Sequence, residues 1–331
     1  MDVRWLSEGR VERYDVHDVE MLLKRDDGFV WVDMMAAEEA DSRALADTFS
    51  FHPLAIRDCV ERNPVPKVHA YTDHLIVVLH APFAGRAGHV HYIELDQLMG
   101  PRFLVTVHGP INALVNSEVC GRETSAVMKR LEAGRLRPST PGELSHAIVT
   151  ALARTQRAYV DTLTQDVWRL EQRVTGGDAH DAEVFLEELF AARHGLLAVR
   201  TMGAQSSESY ARVAALRRAS GDGGGPEFQA LVEDVIDQFD NVRRVADSEK
   251  EYLQGVIDFY RARTETKMTI AAERLAVIAV ITLPVTALSS IYGMNIIVND
   301  RTDYVHLTLV LAVMVAMSIT LLTWAKRQGW W

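Results

Sequence analysis

Cysteine is nearly absent: Cys59 and Cys120 are the two in 331 residues, and their separation matches neither a metal knuckle nor a redox pair. They read as reduced thiols of an intracellular domain. Basic residues are the minority sign, with 35 Lys and Arg against 45 Asp and Glu and a formal net charge of -10. A general nucleic-acid binder needs a basic face to replace phosphate counterions, so the balance argues against that class. The excess suits a surface that meets cations, and equally a solvated acidic protein. The opening stretch MDVRWLSEGRVERYDV lacks an apolar core, so no cleavable signal peptide is expected. The glycines of SGDGGGP (220–226) lack the Gly-Lys-Ser/Thr of a phosphate loop and read as a linker. Nucleophile elbows and paired catalytic carboxylates are missing too, which leaves an enzyme without positive support.

What is present falls into distinct regions. Residues 1–135 predict a cytoplasmic domain of mixed α/β layers, an α+β arrangement. FVWVDM (29–34) and HLIVVLHAPF (74–83) read as strands, and AAEEADSRALADTFSF (36–51) as a helix. HVHYIELDQL and RFLVTVHG flank Met99-Gly100-Pro101 as a hairpin, while the prolines of NPVPKV (63–68) mark a turn. Residues 136–226 read as an antiparallel hairpin of long helices. Its first arm places Leu144, Ile148, Leu152, Tyr159, Leu163, Val167, Leu170 and Val174 at helical spacing, and TGGDAHD separates it from the second. His89 and His91 share one face of a strand, but a third metal ligand at a persuasive spacing does not follow.

From Glu227 an apolar stripe runs through Phe228, Leu231, Val235, Phe239 and Val242 to Tyr260, and no clear stop signal precedes the next segment. A helix continuous to Tyr292 would be about 100 Å long at ~1.5 Å per residue, a stalk rather than a core helix. Leu275–Tyr292 carries no charge at all. Leu275–Met294 is 20 residues and Val305–Ala325 is 21, each enough to cross ~30 Å of hydrocarbon. The domain order is therefore a stalk and first transmembrane helix over 227–294, an external loop over 295–304, a second transmembrane helix over 305–325 and a basic tail over 326–331. Arg261, Arg263, Lys267 and Arg274 precede the first span, and Lys326 and Arg327 follow the second. By the positive-inside rule both termini lie in the cytoplasm of a cell whose cytoplasmic (inner) membrane is crossed twice.

Two spans per chain cannot enclose a wide pore. The first span is rich in small or hydroxylated residues (Ala276, Ala279, Thr282, Thr286, Ala287, Ser289), which suit close helix approach and a polar lumen. Several copies would ring a channel, with the bulkier second helices facing membrane lipid. The first span ends on Gly293, Met294 and Asn295. The last carbonyls of a helix and the negative end of its dipole attract cations. A neutral carboxamide can hydrogen-bond the waters of Mg2+, which dehydrates reluctantly, whereas a carboxylate would hold the ion too long.

Tyr292-Gly293-Met294-Asn295 between two C-terminal spans, with the basic KRQGWW end and the segment FHPLAIRDCVERNPVPKV (51–68), resembles the CorA magnesium-transporter family over most of the chain. The resemblance implies a funnel-shaped homopentamer that conducts Mg2+, with Co2+ or Ni2+ as further cargo. It implies ion selection at Gly293, Met294 and Asn295, and a pore lined by Thr269, Ala272, Leu275, Ala279, Leu283 and Thr286. Their three- and four-residue spacing independently keeps them on one helix face. Leu275 and Leu283 would be constrictions that gate by dewetting.

The family also implies closure by intracellular Mg2+ bound between subunits, at positions matching Asp58 and Asp234, with Asp237 beside the latter. The stalk supports such a site, since residues 227–258 hold nine acidic and three basic side chains. Such charge repels itself across an oligomer unless divalent ions bridge it; a solvated face is the competing reading. Thr269 and Ala272 stand where the family often has Asn and Met, Arg57 replaces an acid, and the loop lacks the usual Phe and Met-Pro-Glu turn. Asp300 and Asp303 would then supply the outer negative charge. A Zn2+, Co2+ or Ni2+ transporter of the ZntB-type branch is the nearest alternative. A non-conducting, membrane-anchored coiled-coil scaffold or sensor is the alternative of another class.

Overall fold

The computed structural model describes residues 1–35, 46–110, 112, 114–176, 181–219, 225–293 and 304–327. The described chain groups into two compact units, Met1–Val256 and Ile257–Trp331.

The first unit is built on a seven-stranded sheet in the order β2-β1-β3-β7-β6-β5-β4. The strands are β1 (Asp2–Ser7), β2 (Arg10–Tyr14), β3 (Phe29–Met34), β4 (Lys67–Ala70), β5 (Leu75–Ala84), β6 (Val90–Met99) and β7 (Phe103–Val107). The β3–β7 pair is parallel; the other neighbours are antiparallel. Around the sheet lie α1 (Val19–Leu22), α2 (Pro53–Val60), α3 (Ser117–Cys120), α4 (Arg122–Glu132), α5 (Pro141–Gly176) and α6 (Ala182–Ala219). Helix α7 (Gly225–Gly293) contributes its first part to this unit.

Both faces of the sheet are covered, which explains why β3 and β5 read as unbroken apolar runs rather than alternating ones. Along β5, Leu75, Val77, Leu79 and Ala81 enter a core shared with α4, α5, α6 and α7. Ile76 and Val78 enter a second core with α1, α2 and the aromatic pair Phe49 and Phe51. Every member of the apolar series read on α5 is buried except the partly exposed Tyr159. The first turn of α5 is closed by Glu143, whose carboxylate accepts from the Ser139 N–H and Oγ at 2.8 Å each. Gly203 lets α6 and α7 approach closely, because a Cβ there would stand 3.2 Å from the Phe239 carbonyl oxygen.

Four readings shift. The turn at 63–68 ends earlier than expected: Lys67 and Val68 open the edge strand β4, directly after Pro66, where a proline can precede a ladder without interrupting it. Linker residues 225 and 226 are already helical, and 220–224 lie outside the described residues. Residues 46–49 are helical, whereas 36–45 of the expected helix lie outside the described residues. Lys326 and Arg327 form the last turn of α8 (Tyr304–Arg327) instead of a separate tail.

The second unit holds the rest of α7 and α8. Both helices are long and apolar enough to cross a membrane.

Candidate functional site

The six residues expected to line a pore all sit on α7. Within the second unit the covered side of α7 runs through Val277, which is buried, and Ile281, Pro284 and Leu288, which are half-buried. That spacing marks one stripe of a 3.6-residue helix. Ala272, Leu275, Ala279, Leu283 and Thr286 fall on the opposite side and are exposed, the two leucines to 67% each. Thr269 is exposed at the edge of the same set. On α8 the less exposed residues Met314, Met317, Leu321 and Ala325 likewise form one stripe. Each helix thus hides one face and leaves the other to whatever surrounds a single chain.

The hydroxyls on α7 have a defined polarity. Thr269 Oγ1 donates to the Glu265 carbonyl at 3.0 Å, and Thr286 Oγ1 donates to the Thr282 carbonyl at 2.8 Å. With the proton committed to the backbone, each hydroxyl offers its lone pairs outward and acts as an acceptor. The waters around a hydrated cation are donors, so these acceptor hydroxyls suit them chemically. Pro284 has no N–H for the Val280 carbonyl, a gap that a membrane helix tolerates. The helix reaches Gly293; Met294, Asn295, Asp300 and Asp303 lie outside the described residues. Lys326 and Arg327 are exposed at the C-terminus of α8, where cations complement the helix dipole.

The acidic residues expected to sense metal have contrasting surroundings. Asp58 is buried on α2, and its carboxylate accepts from Lys67 Nζ of β4 at 2.7 Å. Around this pair lies a polar pocket of the sheet that the sequence reading did not identify. Asn63 is its organiser: its backbone N–H donates to Glu94 at 2.9 Å, and Nδ2 donates to Glu94 at 2.5 Å and to the Asp58 carbonyl at 2.6 Å. Asp96 is fully buried two residues along β6, and burial together with the charge of Glu94 raises its carboxyl well above the usual range. Burial raises Glu94 as well, although the Asn63 hydrogen bonds oppose that shift. The thiol of Cys59 is pushed up by burial and by the carboxylates nearby. His80 donates from Nε2 to the Asn63 carbonyl at 2.7 Å and is held down at about 4 by burial. Three carboxyl groups therefore share one ammonium, and Asp96 is the member whose burial most favours the protonated form. The signal was available, since Glu94 and Asp96 are two apart on a strand and so share a face.

Asp234 and Asp237 are exposed one turn apart on α7. Asp234 accepts from His146 Nε2 of α5 at 2.7 Å and from Gln238 Nε2 at 2.6 Å. Asp58 belongs to the buried cluster beneath α2, so the structure does not place it beside Asp234 as a common site in one chain. Among the described residues, no group of three or more His, Cys, Asp or Glu side chains is placed to hold a metal ion. His89 and His91 pack edge to face at 4.7 Å.

A helix-covered α/β unit followed by two helices long and apolar enough to cross a membrane, each with one face uncovered, is an arrangement that suits a membrane protein. The family model described as CorA-like Mg2+ transporter protein matches residues 26–327. The chain belongs to that family of divalent metal ion transporters and is not an enzyme. Among curated proteins it is 24% identical over 321 residues to Bacillus subtilis (strain 168) YfjQ, provisionally named a metal ion transporter, covering 94% of this chain and 93% of that one. It is 22% identical over 326 residues to the cobalt/magnesium transport protein CorA of Thermotoga maritima, covering 95% of this chain and 87% of the relative. Among solved structures, the complete CorA magnesium transporter of Methanocaldococcus jannaschii superposes with a TM-score of 0.80 at 16% identity, over 100% of this chain and 99% of that one.

Proposed function

We propose that the protein is a homopentameric channel for hydrated Mg2+ in the cytoplasmic membrane, with both termini inside the cell. Ions are selected at a ring of Gly293, Met294 and Asn295 and pass along Thr286, Leu283, Ala279, Leu275, Ala272 and Thr269. The observation that carries this reading is the exposed face of α7, opposite its covered stripe. Five such faces turned inward would form a lumen of acceptor oxygens and small side chains, interrupted by two leucine rings. Asp300 and Asp303 would draw cations to the outer mouth, while Lys326 and Arg327 would form a basic ring at the inner surface.

In this reading internal Mg2+ held between subunits keeps the channel closed. Asp234 and Asp237 suit that role through their exposure on α7. Asp58, already neutralised by Lys67, suits it less well and acts at most through its surroundings. Co2+ is a second cargo, favoured by the name of the Thermotoga maritima relative.

The test is influx into liposomes holding a Mg2+-sensitive dye at low internal Mg2+. The intact protein is expected to give fast influx that Asn295→Ala abolishes. Absence of influx from the intact protein would overturn the Mg2+ assignment, and the same vesicles with a Co2+-sensitive dye would then decide the second cargo.

A further inference from the structure

In a chain of net charge -10, several arginines of the first unit are neutralised locally, among them Arg4 by Asp2, Arg25 by Asp27, Arg157 by Asp161 and Arg243 by Asp240. A cleft of about 290 Å³ departs from that pattern. It lies between the last turn of α4, the segment that leaves it, and the first four turns of α5. Arg130 comes from α4, Arg137 from the connecting segment and Arg154 from α5. Among the described residues none of these three guanidinium groups makes an ion pair or a side-chain hydrogen bond.

The cleft is organised around those cations. The stem of Arg137 lies over Gly9 in the β1–β2 turn, where a Cβ would meet its Cδ at 3.0 Å. Gly9 has φ +78°, so glycine serves both the turn and the packing. Glu143 is the acid of the lining, and its two oxygens are engaged by Ser139. His146 Nε2 points to Asp234. Three cations against one occupied carboxylate leave the cleft positive, and the N-terminal end of α5 adds to the same sign. Leu136, Ala147 and Leu231 supply an apolar wall.

We propose that this cleft binds a small polyphosphate anion, the phosphate chain of a soluble nucleotide or of an inorganic polyphosphate. Guanidinium forks from three elements suit an anion with many acceptor oxygens spread along a chain, whereas one carboxylate would satisfy a single fork. The volume is near the lower bound of ~300 Å³ for small-molecule pockets and admits a phosphate chain with part of an attached sugar or base against the apolar wall.

Titration calorimetry on the full-length protein in detergent, with EDTA to remove magnesium, tests the proposal with sodium tripolyphosphate and with ATP. One saturable site per chain is expected, weakening as KCl rises. Arg130→Gln or Arg154→Gln should each lower the affinity about tenfold, the loss of one charge-assisted contact. Arg212→Gln, which removes the same charge from the surface of α6 outside the cleft lining, should change it less than twofold. ATP binding tighter than tripolyphosphate assigns the apolar wall to the nucleoside. Equal affinities assign recognition to the phosphate chain alone; both support the site. Absence of saturable binding, unchanged affinity in both cleft variants, or an equal loss in Arg212→Gln would each overturn it. The readout is binding, so it stands apart from whether the channel conducts.

Discussion

Asp96→Asn isolates the most unusual group in the soluble unit. Asp96 is fully buried, and Glu94 on its own strand, Asp58 and Cys59 on α2, Lys67 on β4 and His80 on β5 make up the titratable surroundings. Its carboxyl is raised by burial first and by Glu94 second. The folded protein therefore holds a proton that the unfolded chain releases above ~3.9. Linkage fixes the sign: with fewer protons bound in the unfolded state, stability falls as pH rises through the interval between the two values. Each pH unit in that interval costs about tenfold in the folding equilibrium for the one proton. Asparagine keeps the shape and the hydrogen-bonding capacity without a titrating proton, so the Asp96→Asn variant should lose this slope. Thermal denaturation of the detergent-solubilised protein across pH 5 to 8 should show wild type falling relative to the variant as pH rises. Infrared difference spectra should show a protonated carboxyl band in wild type at neutral pH that the variant lacks. Parallel stability curves and no such band would refute the reasoning, because Asp96 would then be ionised in the fold.

Other perturbations read other links. His80 is held at about 4 by burial, below its ordinary ~6.5, so the unfolded chain binds the extra proton and stability falls as pH drops from ~6.5 towards that value; His80→Phe should remove this acid-side decline in the same denaturation series. Lys67→Met leaves Asp58 buried without its ammonium, and with Lys67 30% exposed the loss should be about 3 kcal/mol, the lower end for unpairing a buried ion pair. Adding Asp58→Asn to that variant should restore most of the melting temperature. Thr286→Val keeps the shape of the side chain but removes the outward acceptor; it should lower Mg2+ influx several-fold, whereas Thr286→Ser preserves it. If Leu283 forms the proposed constriction, Leu283→Asn would wet it and should raise influx at high internal Mg2+ relative to wild type.

Much of the architecture was legible because it follows from periodicity. Leu144, Ile148 and Leu152 announce the buried face of α5, and the uncharged run from Leu275 announces a membrane helix. That Thr269, Ala272, Leu275, Ala279, Leu283 and Thr286 share one face of α7 was legible for the same reason, since three- and four-residue steps fix a face. The N-terminal hairpin was not legible. Its strand β2 is polar and largely exposed, so it carries little apolar signal. The ion pair of Asp58 was hidden for a different reason. Whether an acid is a free ligand or half of an ion pair depends on β4 passing beside α2, and sequence spacing between Asp58 and Lys67 does not encode that contact. The buried carboxyl pair Glu94 and Asp96 was hidden by the opposite bias, since acids within a strand are read as solvent-facing unless both faces of the sheet are known to be covered.

The charge on α7 connects these observations to regulation. Of the nine acids between residues 227 and 258, Asp240 is paired with Arg243, and Asp247 with Arg200 and Lys250. Asp234 is held by His146. Asp237 and Glu251 are exposed, and neither makes an ion pair among the described residues. At Asp237 and Glu251, among the described residues, no basic side chain of the same chain answers the charge. A single chain in salt water bears this easily, because charges beyond ~8 Å are screened at physiological ionic strength. Bringing such helices together in an oligomer does not, since like charges then approach within a Debye length and lose solvent. A divalent ion offsets the repulsion with two charges at one point, which a monovalent atmosphere cannot do. In the proposed reading, Asp237→Asn with Glu251→Gln should therefore hold the subunits together without Mg2+, so influx in that variant should stay low at low and at high internal Mg2+ alike. Retained Mg2+ sensitivity would place the sensor elsewhere.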